Sequence, residues 1–337
     1  MKRKTRIWHA IIAVPVISLI IFIISVSGSK DNLRTMKYTS RSEKKALIWQ
    51  SNLRTKLFKI LKMDDFFTDR ENIALNPKVI RCLDKGKYLW KEIEFNSTFH
   101  RRIKVIYTVP KLSGTDKKEK VWPAVVCIHG HGGRLESVYD RNSIYKGFAS
   151  ELAVNNYVTI SAYVSQHIVF ERGRIIMGER LWDLMRCVDY LESCEEVDKN
   201  RIGCGGLSLG GEMAMWLGAM DKRIKATVSS GFLTKMDQLE INHCMCWKFP
   251  GLRKLVDFAD IYSLIAPRQL MCQNGLKEPV TDFTVPIARQ ALKEVKAIYT
   301  DFNKPENVVL VSHEGAHEIN LPSLMAFFDK HLGMDIK

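Results

Sequence analysis

From residue 124 onward, short apolar segments alternate with longer segments of helical periodicity. The first, residues 124–128, is apolar at every position, which is typical of a strand buried on both faces of a parallel sheet. Further strands are predicted at residues 157–162, 201–205, 226–229, 269–273 and 308–313. Helices are predicted at residues 145–154, 178–191, 212–219, 287–299 and 323–331. This alternation predicts an α/β protein with a mostly parallel central sheet and helices on both faces.

The most informative motif of this region lies at residues 206–210, which read Gly-Leu-Ser-Leu-Gly. It matches G-x-S-x-G and falls between a predicted strand and a predicted helix, where a sharp turn raises a serine above the sheet. Glycines two residues on either side leave room in this crowded turn. The motif therefore predicts Ser208 as a nucleophile at the N-terminus of a helix.

A serine hydroxyl is a weak nucleophile at its own pKa and needs a neighbouring base. His317 is the candidate, because it follows the last predicted strand, and on such a sheet the histidine comes after the serine and the acid. His313 is the rival, but it lies at the end of the strand, where its side chain is expected to pack. We therefore predict His317 as the general base.

The acid that orients this histidine is expected in the turn after the strand at residues 269–273. Two carboxylates occur there, Glu278 and Asp282. Glu278 is closer to the strand end and precedes a proline, whereas Asp282 is of the commoner type and lies four residues further along. We favour Glu278 and keep Asp282 as the alternative.

A serine nucleophile also needs two backbone N–H groups that face the negative charge developing on the substrate oxygen. One is predicted at Leu209, directly after the nucleophile. The other is expected in the glycine-rich loop after residues 124–128, at His131 or Gly132. The imidazoles of His129 and His131 are expected to be structural.

Neither a cofactor nor a metal ion is predicted. The eight cysteines show no C-x-x-C spacing, and the pair Cys244 and Cys246 has no second pair to match it. Cys127, Cys204 and Cys272 lie in predicted strands and are expected to be buried thiols, not part of a disulfide framework.

The residue pattern at the N-terminus predicts a hydrophobic helix that crosses a membrane. Residues 1–6 carry four positive charges, and residues 7–26 are almost entirely apolar, which is long enough to span a bilayer. We favour an uncleaved single-pass anchor within residues 1–29 over a signal peptide cut near residues 25–29, which would leave a secreted protein. Basic residues flank the segment on both sides, so the charge pattern does not fix the side that holds the domain.

The basic excess belongs to the same end of the chain. The net charge is +14, and residues 1–62 contribute +12 of it, with fourteen basic and two acidic residues. Such a segment suits contact with anionic lipid, and no nucleic-acid partner is expected because no binding module is recognisable. We predict a basic linker and amphipathic helix at residues 30–62, with the helix at 46–61 either packed on the domain or lying on a membrane, and an α/β domain over residues 63–337.

Several motifs together resemble the dienelactone-hydrolase and acetyl-xylan-esterase branch of the α/β-hydrolases. The segments that carry the resemblance are residues 127–133, 178–184, 201–213 and 313–318, within a similarity that spans about residues 80–333. The resemblance implies the α/β-hydrolase fold and a carboxylic-ester hydrolase, with Ser208 and His317 in the site and oxyanion amides at His131 and Leu209. Members of this branch usually have Gly-x-x-Asp-Pro where residues 275–279 have Glu, so the identity of the acid stays open.

The predicted function is therefore hydrolysis of a small-molecule ester, of an acetyl or another short acyl group, through an acyl-enzyme on Ser208. One alternative is a peptidase related to prolyl oligopeptidases, although the chain has no room for their propeller. Another is a non-catalytic protein on a hydrolase fold, because a fold alone does not establish activity. The sequence carries no signal for the oligomeric state.

Overall fold

A computed structural model of the chain, which describes residues 34–111 and 121–333, contains a nine-stranded sheet. Its strands are β1 (Lys78–Asp84), β2 (Tyr88–Asn96), β3 (Arg102–Pro110), β4 (Trp122–Ile128), β5 (Val158–Ala162), β6 (Val197–Leu207), β7 (Ile224–Ser230), β8 (Gln269–Gly275) and β9 (Val308–His313). Their order in the sheet is β1-β2-β3-β5-β4-β6-β7-β8-β9. The pairs from β1 to β5 are antiparallel, and all pairs from β5 through β4 to β9 are parallel. The predicted α/β fold with a mostly parallel sheet is confirmed.

Helices cover both faces of this sheet. They are α1 (Glu43–Ile60), α2 (Asp64–Asp69), α3 (Phe148–Val154), α4 (Ile176–Ser193), α5 (Leu209–Met220), α6 (Met236–Asn242), α7 (Leu252–Leu255), α8 (Phe258–Ser263), α9 (Val285–Asp301) and α10 (Leu321–Leu332). Apolar side chains of α3 and α10 form one core layer, and those of α1, α4, α5, α8 and α9 belong to the layer on the other face. The sheet is thus enclosed between two layers of helices.

Strand β4 shows why its sequence is apolar at every position. Val125 and Cys127 belong to the core layer that contains α3 and α10, whereas Ala124, Val126 and Ile128 belong to the opposite layer. Successive side chains of a strand point to opposite faces, so a strand enclosed on both sides buries all of them. Each large apolar side chain buried in this way contributes about 1.5–3 kcal/mol.

Helix α1 packs on the domain. Leu53 and Leu57 are fully buried in the core layer that includes α9. Nε of Arg54 donates to the carbonyl oxygen of Ala219 at 2.8 Å, and burial, followed by the charge of Arg268, lowers the pKa of Arg54 to about 10. This helix was expected either to pack on the domain or to lie on a membrane, and in the structure it packs on the domain.

The predicted membrane segment lies outside the described residues, as do residues 112–120 and 334–337. Within the ranges 34–111 and 121–333, no helix combines the length and the apolar character that crossing a bilayer requires. The anchor predicted within residues 1–29 has no support from the structure and stays a prediction.

Some elements differ from the sequence-based expectation for identifiable reasons. Strand β1 was not predicted because all but one of its residues are exposed, which leaves no alternation of apolar and polar side chains. The helix predicted from residue 145 begins at Phe148, because Gly147 before it has a left-handed φ of 60°. The segment 232–257, for which no helix was predicted, contains α6 and α7.

Candidate active site

The predicted site residues follow the carboxyl ends of parallel strands. Ser208 follows β6, Glu278 follows β8, His317 follows β9, and the loop of residues 129–133 follows β4. These strands lie side by side with β7 in one parallel block of the sheet. The structure therefore brings the loops together at one edge, where ligands bind in open α/β sheets.

Ser208 occupies a strained turn between β6 and α5. Its backbone angles are φ 62° and ψ −126°, a conformation that costs a non-glycine residue about 1–3 kcal/mol. Its N–H donates to the carbonyl oxygen of Ser230 in β7 at 2.9 Å. A Cβ atom at Gly210 would lie 2.2 Å from the carbonyl oxygen of Ile128, and one at Gly206 would lie 2.5 Å from it. The motif glycines are thus required by the contact of this turn with the end of β4.

His317 forms a hydrogen-bonded pair with Glu278. Its Nδ1 lies 2.8 Å from Oε2 of Glu278, whose side chain is 1% exposed, while the His317 side chain is 26% exposed. The ring of Phe283 stacks on the imidazole at a centroid distance of 5.5 Å and an angle of 22°. The carboxylate and the aromatic ring together fix the orientation of the imidazole, and among the described residues no hydrogen bond engages its Nε2.

The loops that carry the acid and the histidine are joined directly. The N–H of Leu276 donates to the carbonyl oxygen of His313 at 2.8 Å. A Cβ atom at Gly275 would lie 2.2 Å from the carbonyl oxygen of Ala316, so the close approach of the two loops requires glycine there. This contact explains how residues 39 positions apart in the chain reach hydrogen-bonding distance.

Gly231 links the histidine to the turn of the serine. It follows Ser230, the residue that accepts the Ser208 N–H, and its own N–H donates to the carbonyl oxygen of Gln273 at 2.7 Å. A Cβ atom on Gly231 would lie 2.7 Å from Cε1 of His317. The imidazole therefore lies against the backbone at the end of β7, next to β6, the strand that Ser208 follows.

The two rival residues have other partners. Oδ2 of Asp282 lies 3.2 Å from Nδ1 of His243, not beside His317. His313 is 9% exposed, its Nδ1 accepts the N–H of Gly315 at 3.2 Å, and burial lowers its pKa. The contacts favour Glu278 over Asp282 as the partner of the imidazole, and they show His313 packed as expected.

The three candidate oxyanion amides differ in their surroundings. Leu209 is the first residue of α5, and the N–H of a first helical residue has no acceptor within its helix. The N–H of Gly132 donates to Oγ of Ser165 at 2.8 Å. Within the described part of the chain no acceptor binds the N–H of His131. Leu209 and His131 thus offer free amides, whereas that of Gly132 is engaged.

His129 is structural. Its Nδ1 donates to the carbonyl oxygen of Gly130 at 2.9 Å, and its Nε2 accepts the N–H of Val164 at 3.3 Å. Burial lowers the pKa of His129 to about 4, so the ring is neutral near pH 7. In this state it holds the loop after β4 against the loop after β5.

The ring of His131 belongs to a group of side chains that the sequence did not indicate. It lies with His167, Cys244 and Cys246, and the potential ligand atoms of the four residues are within 4.8 Å of one another. Burial and then the charge of Arg180 lower the pKa of His131 to about 4. The spacing of Cys244 and Cys246 was the available signal, but their partners come from two distant loops that only the fold brings close.

A cavity of about 610 Å³ lies near the same edge of the sheet. Its lining includes Ile103, Arg134, Tyr163 and Phe170, but none of the residues Ser208, Glu278 and His317. The ring of Tyr163 is 5.6 Å from that of His129, which places this cavity beside the loop after β4.

Comparisons with known proteins agree with this architecture. Residues 185–246 match the family model described as BAAT / acyl-CoA thioester hydrolase C terminal. A relative from Bacillus subtilis (strain 168), named "Putative hydrolase YtaP", is 26% identical over 257 residues, which cover 68% of this chain and 81% of that protein.

Solved structures of esterases share the fold. One is described as a "putative acetyl xylan esterase" from Bacteroides fragilis NCTC 9343, with a TM-score of 0.68 and 19% identity over 85% of this chain and 81% of that one. Another is a glucuronoyl esterase from Teredinibacter turnerae T7901, with a TM-score of 0.63 and 16% identity over 89% of each chain.

The sheet, the serine turn and these similarities define the class of the protein. It shares its fold with solved esterases and is similar in sequence to hydrolases, and the predicted class of hydrolytic enzyme is confirmed at this level. The similarities do not identify the nucleophile or the ester that it attacks.

Proposed function

We propose that this protein hydrolyses carboxylic esters through an acyl-enzyme formed on Ser208. The observation that carries the proposal is the Glu278–His317 pair, with 2.8 Å between Oε2 and Nδ1, at the same sheet edge as a serine in a strained turn. A nucleophile, a base and a group that orients the base are the parts that such a reaction requires.

In the proposed reaction each of these groups has a defined role. The Ser208 oxygen attacks the ester carbonyl while Nε2 of His317 takes its proton, and Glu278 stabilises the imidazolium that forms. The N–H groups of Leu209 and His131 bind the oxyanion, and each such donor lowers the barrier by about 3–4 kcal/mol. His317 then protonates the leaving alcohol, and water releases the acid by the same steps.

Short acyl esters, acetyl esters of carbohydrates among them, are the proposed substrates. The solved acetyl xylan esterase neighbour supports this class, in line with the resemblance of the motifs. A uronic acid ester and an acyl-CoA thioester are the comparison substrates that the other similarities suggest. Hydrolysis rates on a panel of these three, with a proline peptide added, would establish the substrate class.

Covalent labelling tests the nucleophile. A fluorophosphonate probe is expected to label the full chain and the Ser51→Ala variant, which changes an exposed serine on α1, but not Ser208→Ala. Hydrolysis of p-nitrophenyl acetate should fall by at least about a thousandfold in Ser208→Ala. Equal labelling of Ser208→Ala and the unchanged chain would contradict the proposal.

We also propose that residues 1–29 attach the domain to a membrane; the support is their composition alone. The expected result is that the full chain stays with membranes after a high-pH wash, and that a chain beginning at residue 30 does not. Release of both would overturn the attachment.

A further inference from the structure

Four side chains from three separate segments meet beside the loop after β4. His131 lies in that loop, His167 lies in the loop after β5, and Cys244 and Cys246 follow α6. Nε2 of His131 is 3.0 Å from Sγ of Cys246, and Nε2 of His167 is 3.3 Å from Sγ of Cys244. The two imidazole rings stack at a centroid distance of 5.4 Å.

We propose that these four residues bind a zinc ion. Zn²⁺ in structural sites takes four nitrogen and sulfur ligands in a tetrahedron, at about 2.0–2.1 Å from nitrogen and 2.3 Å from sulfur. In that geometry neighbouring ligand atoms are about 3.3–3.8 Å apart. The distances of 3.0 and 3.3 Å, and the upper limit of 4.8 Å for the whole set, require shifts of about 1 Å or less.

The chemistry of the donors selects the metal. Two thiolates and two neutral imidazoles form a soft set that prefers zinc to magnesium or calcium, which need oxygen ligands. The two thiols release their protons on binding, so their negative charges balance the ion.

Arg180 contacts one of the four proposed ligands, Cys246. It is fully buried, and its Nη1 donates to Sγ of Cys246 at 3.4 Å. A hydrogen bond from outside the ligand set orients a thiolate and stabilises its charge. Because the complex with two thiolates is neutral, the guanidinium is attracted to the sulfur and not repelled by the ion.

Four protein ligands leave no open position, so the ion would act as a structural clamp. It would tie the segment after α6 to the loop that offers the His131 amide. That consequence for the oxyanion site rests on the proposed function, whereas metal binding does not.

Metal content tests the site. The full chain is purified under reducing conditions, stripped with a chelator, incubated with zinc chloride and freed of unbound metal. We expect about one zinc per chain in the unchanged protein and in the controls Cys82→Ser and His100→Gln, whose side chains are exposed. Cys244→Ser and Cys246→Ser should each weaken binding more than about tenfold.

A second readout identifies the ligands. Cobalt in place of zinc should give absorption from thiolate-to-metal charge transfer in the unchanged chain, and Cys246→Ser should reduce it. Zinc should raise the unfolding temperature of the unchanged chain but not of Cys244→Ser. The site would be overturned if the unchanged chain failed to retain zinc, or if both cysteine variants retained as much zinc as the unchanged chain.

The Ser208→Ala variant separates the two proposals. It should bind zinc as the unchanged chain does, although it is not labelled by a fluorophosphonate. In the unchanged chain, labelling without zinc retention would overturn only the metal site, and zinc retention without labelling would overturn only the serine mechanism.

Discussion

At the scale of single residues, the position of His317, the candidate base, depends on the absence of a side chain at residue 231. Gly231 has a left-handed φ of 58°, and a Cβ atom there would lie 2.7 Å from Cε1 of His317. Carbon atoms do not approach so closely, so any side chain at this position must displace the imidazole or the backbone. Gly231 is therefore a positioning residue for His317.

Substitution of Gly231 by alanine should reduce ester hydrolysis more than stability alone would explain. Gly86 is the matched control, because its φ is 80° but no atom lies within 4 Å of its Cβ position. Both variants should lose about 1–2 kcal/mol of unfolding free energy from backbone strain. Only Gly231→Ala should lower kcat, by about tenfold or more. Equal kcat values for the two variants, at a temperature where both are folded, would contradict this role.

The choice between the two acids can be tested in the same assay. Glu278→Gln removes the charge next to Nδ1 of His317, and kcat should fall by about 10²–10⁴-fold because the imidazolium loses its stabilising partner. Asp282→Asn changes the partner of His243 instead and should alter kcat only a few-fold. The reverse ranking would assign the acid to Asp282.

At the scale of an element, α5 carries an unusual charge close to the serine turn. Glu212 lies in its first turn, is 1% exposed, and its Oε1 has no hydrogen-bond partner within the described residues. Burial raises its pKa from 4.5 to about 7, against the opposing effect of Arg180. The folded chain therefore binds more protons than the unfolded chain between these pH values.

Stability should consequently fall as the pH rises from about 4.5 to 7, by about 1–3 kcal/mol from this group. Glu212→Gln removes the titration and should exceed the unchanged chain in unfolding free energy at pH 8 by more than at pH 5. Urea unfolding at the two pH values measures the difference. Glu136→Gln, which changes an exposed glutamate, should leave the pH dependence of stability unchanged. An unchanged pH dependence in Glu212→Gln as well would contradict the raised pKa of Glu212.

The elements show what could be predicted from the sequence. The strand–turn–helix around Ser208 is encoded within a few neighbouring residues, so its pattern predicted it correctly. The preference of His317 for Glu278 depends on the contact of Gly275 with Ala316, between loops distant in the chain. Residue spacing could suggest both acids but could not distinguish them.

The group around His131 was missed for the same reason. Its members span residues 131–246 and come from three loops, whereas zinc sites are recognisable in a sequence when their ligands come in closely spaced pairs. The exposed strand β1 lacked a hydrophobic pattern altogether. Contacts between distant segments, and not local pattern, determine these features.

At the scale of the whole molecule, α1 contributes side chains to the core although it precedes residue 63, the predicted start of the domain. Leu57→Ala should lower the unfolding free energy by about 2–5 kcal/mol, because Leu57 is fully buried. Leu47→Ala, on the same helix but 52% exposed, should change it by less than about 0.5 kcal/mol. Denaturant unfolding of the two variants makes the comparison, and equal losses would mean that α1 does not pack as described.

The contacts of Arg34 extend this dependence still further towards the N-terminus. Its guanidinium bridges Asp260 and Glu294, each at 2.6 Å, and Asp260 is almost fully buried. A fragment that begins at residue 63 would lose both this ion pair and α1, which would expose the apolar core residues packed against α1 and leave Asp260 without its counterion. Such a fragment should self-associate more than a chain that begins at residue 34, because it exposes a larger apolar surface.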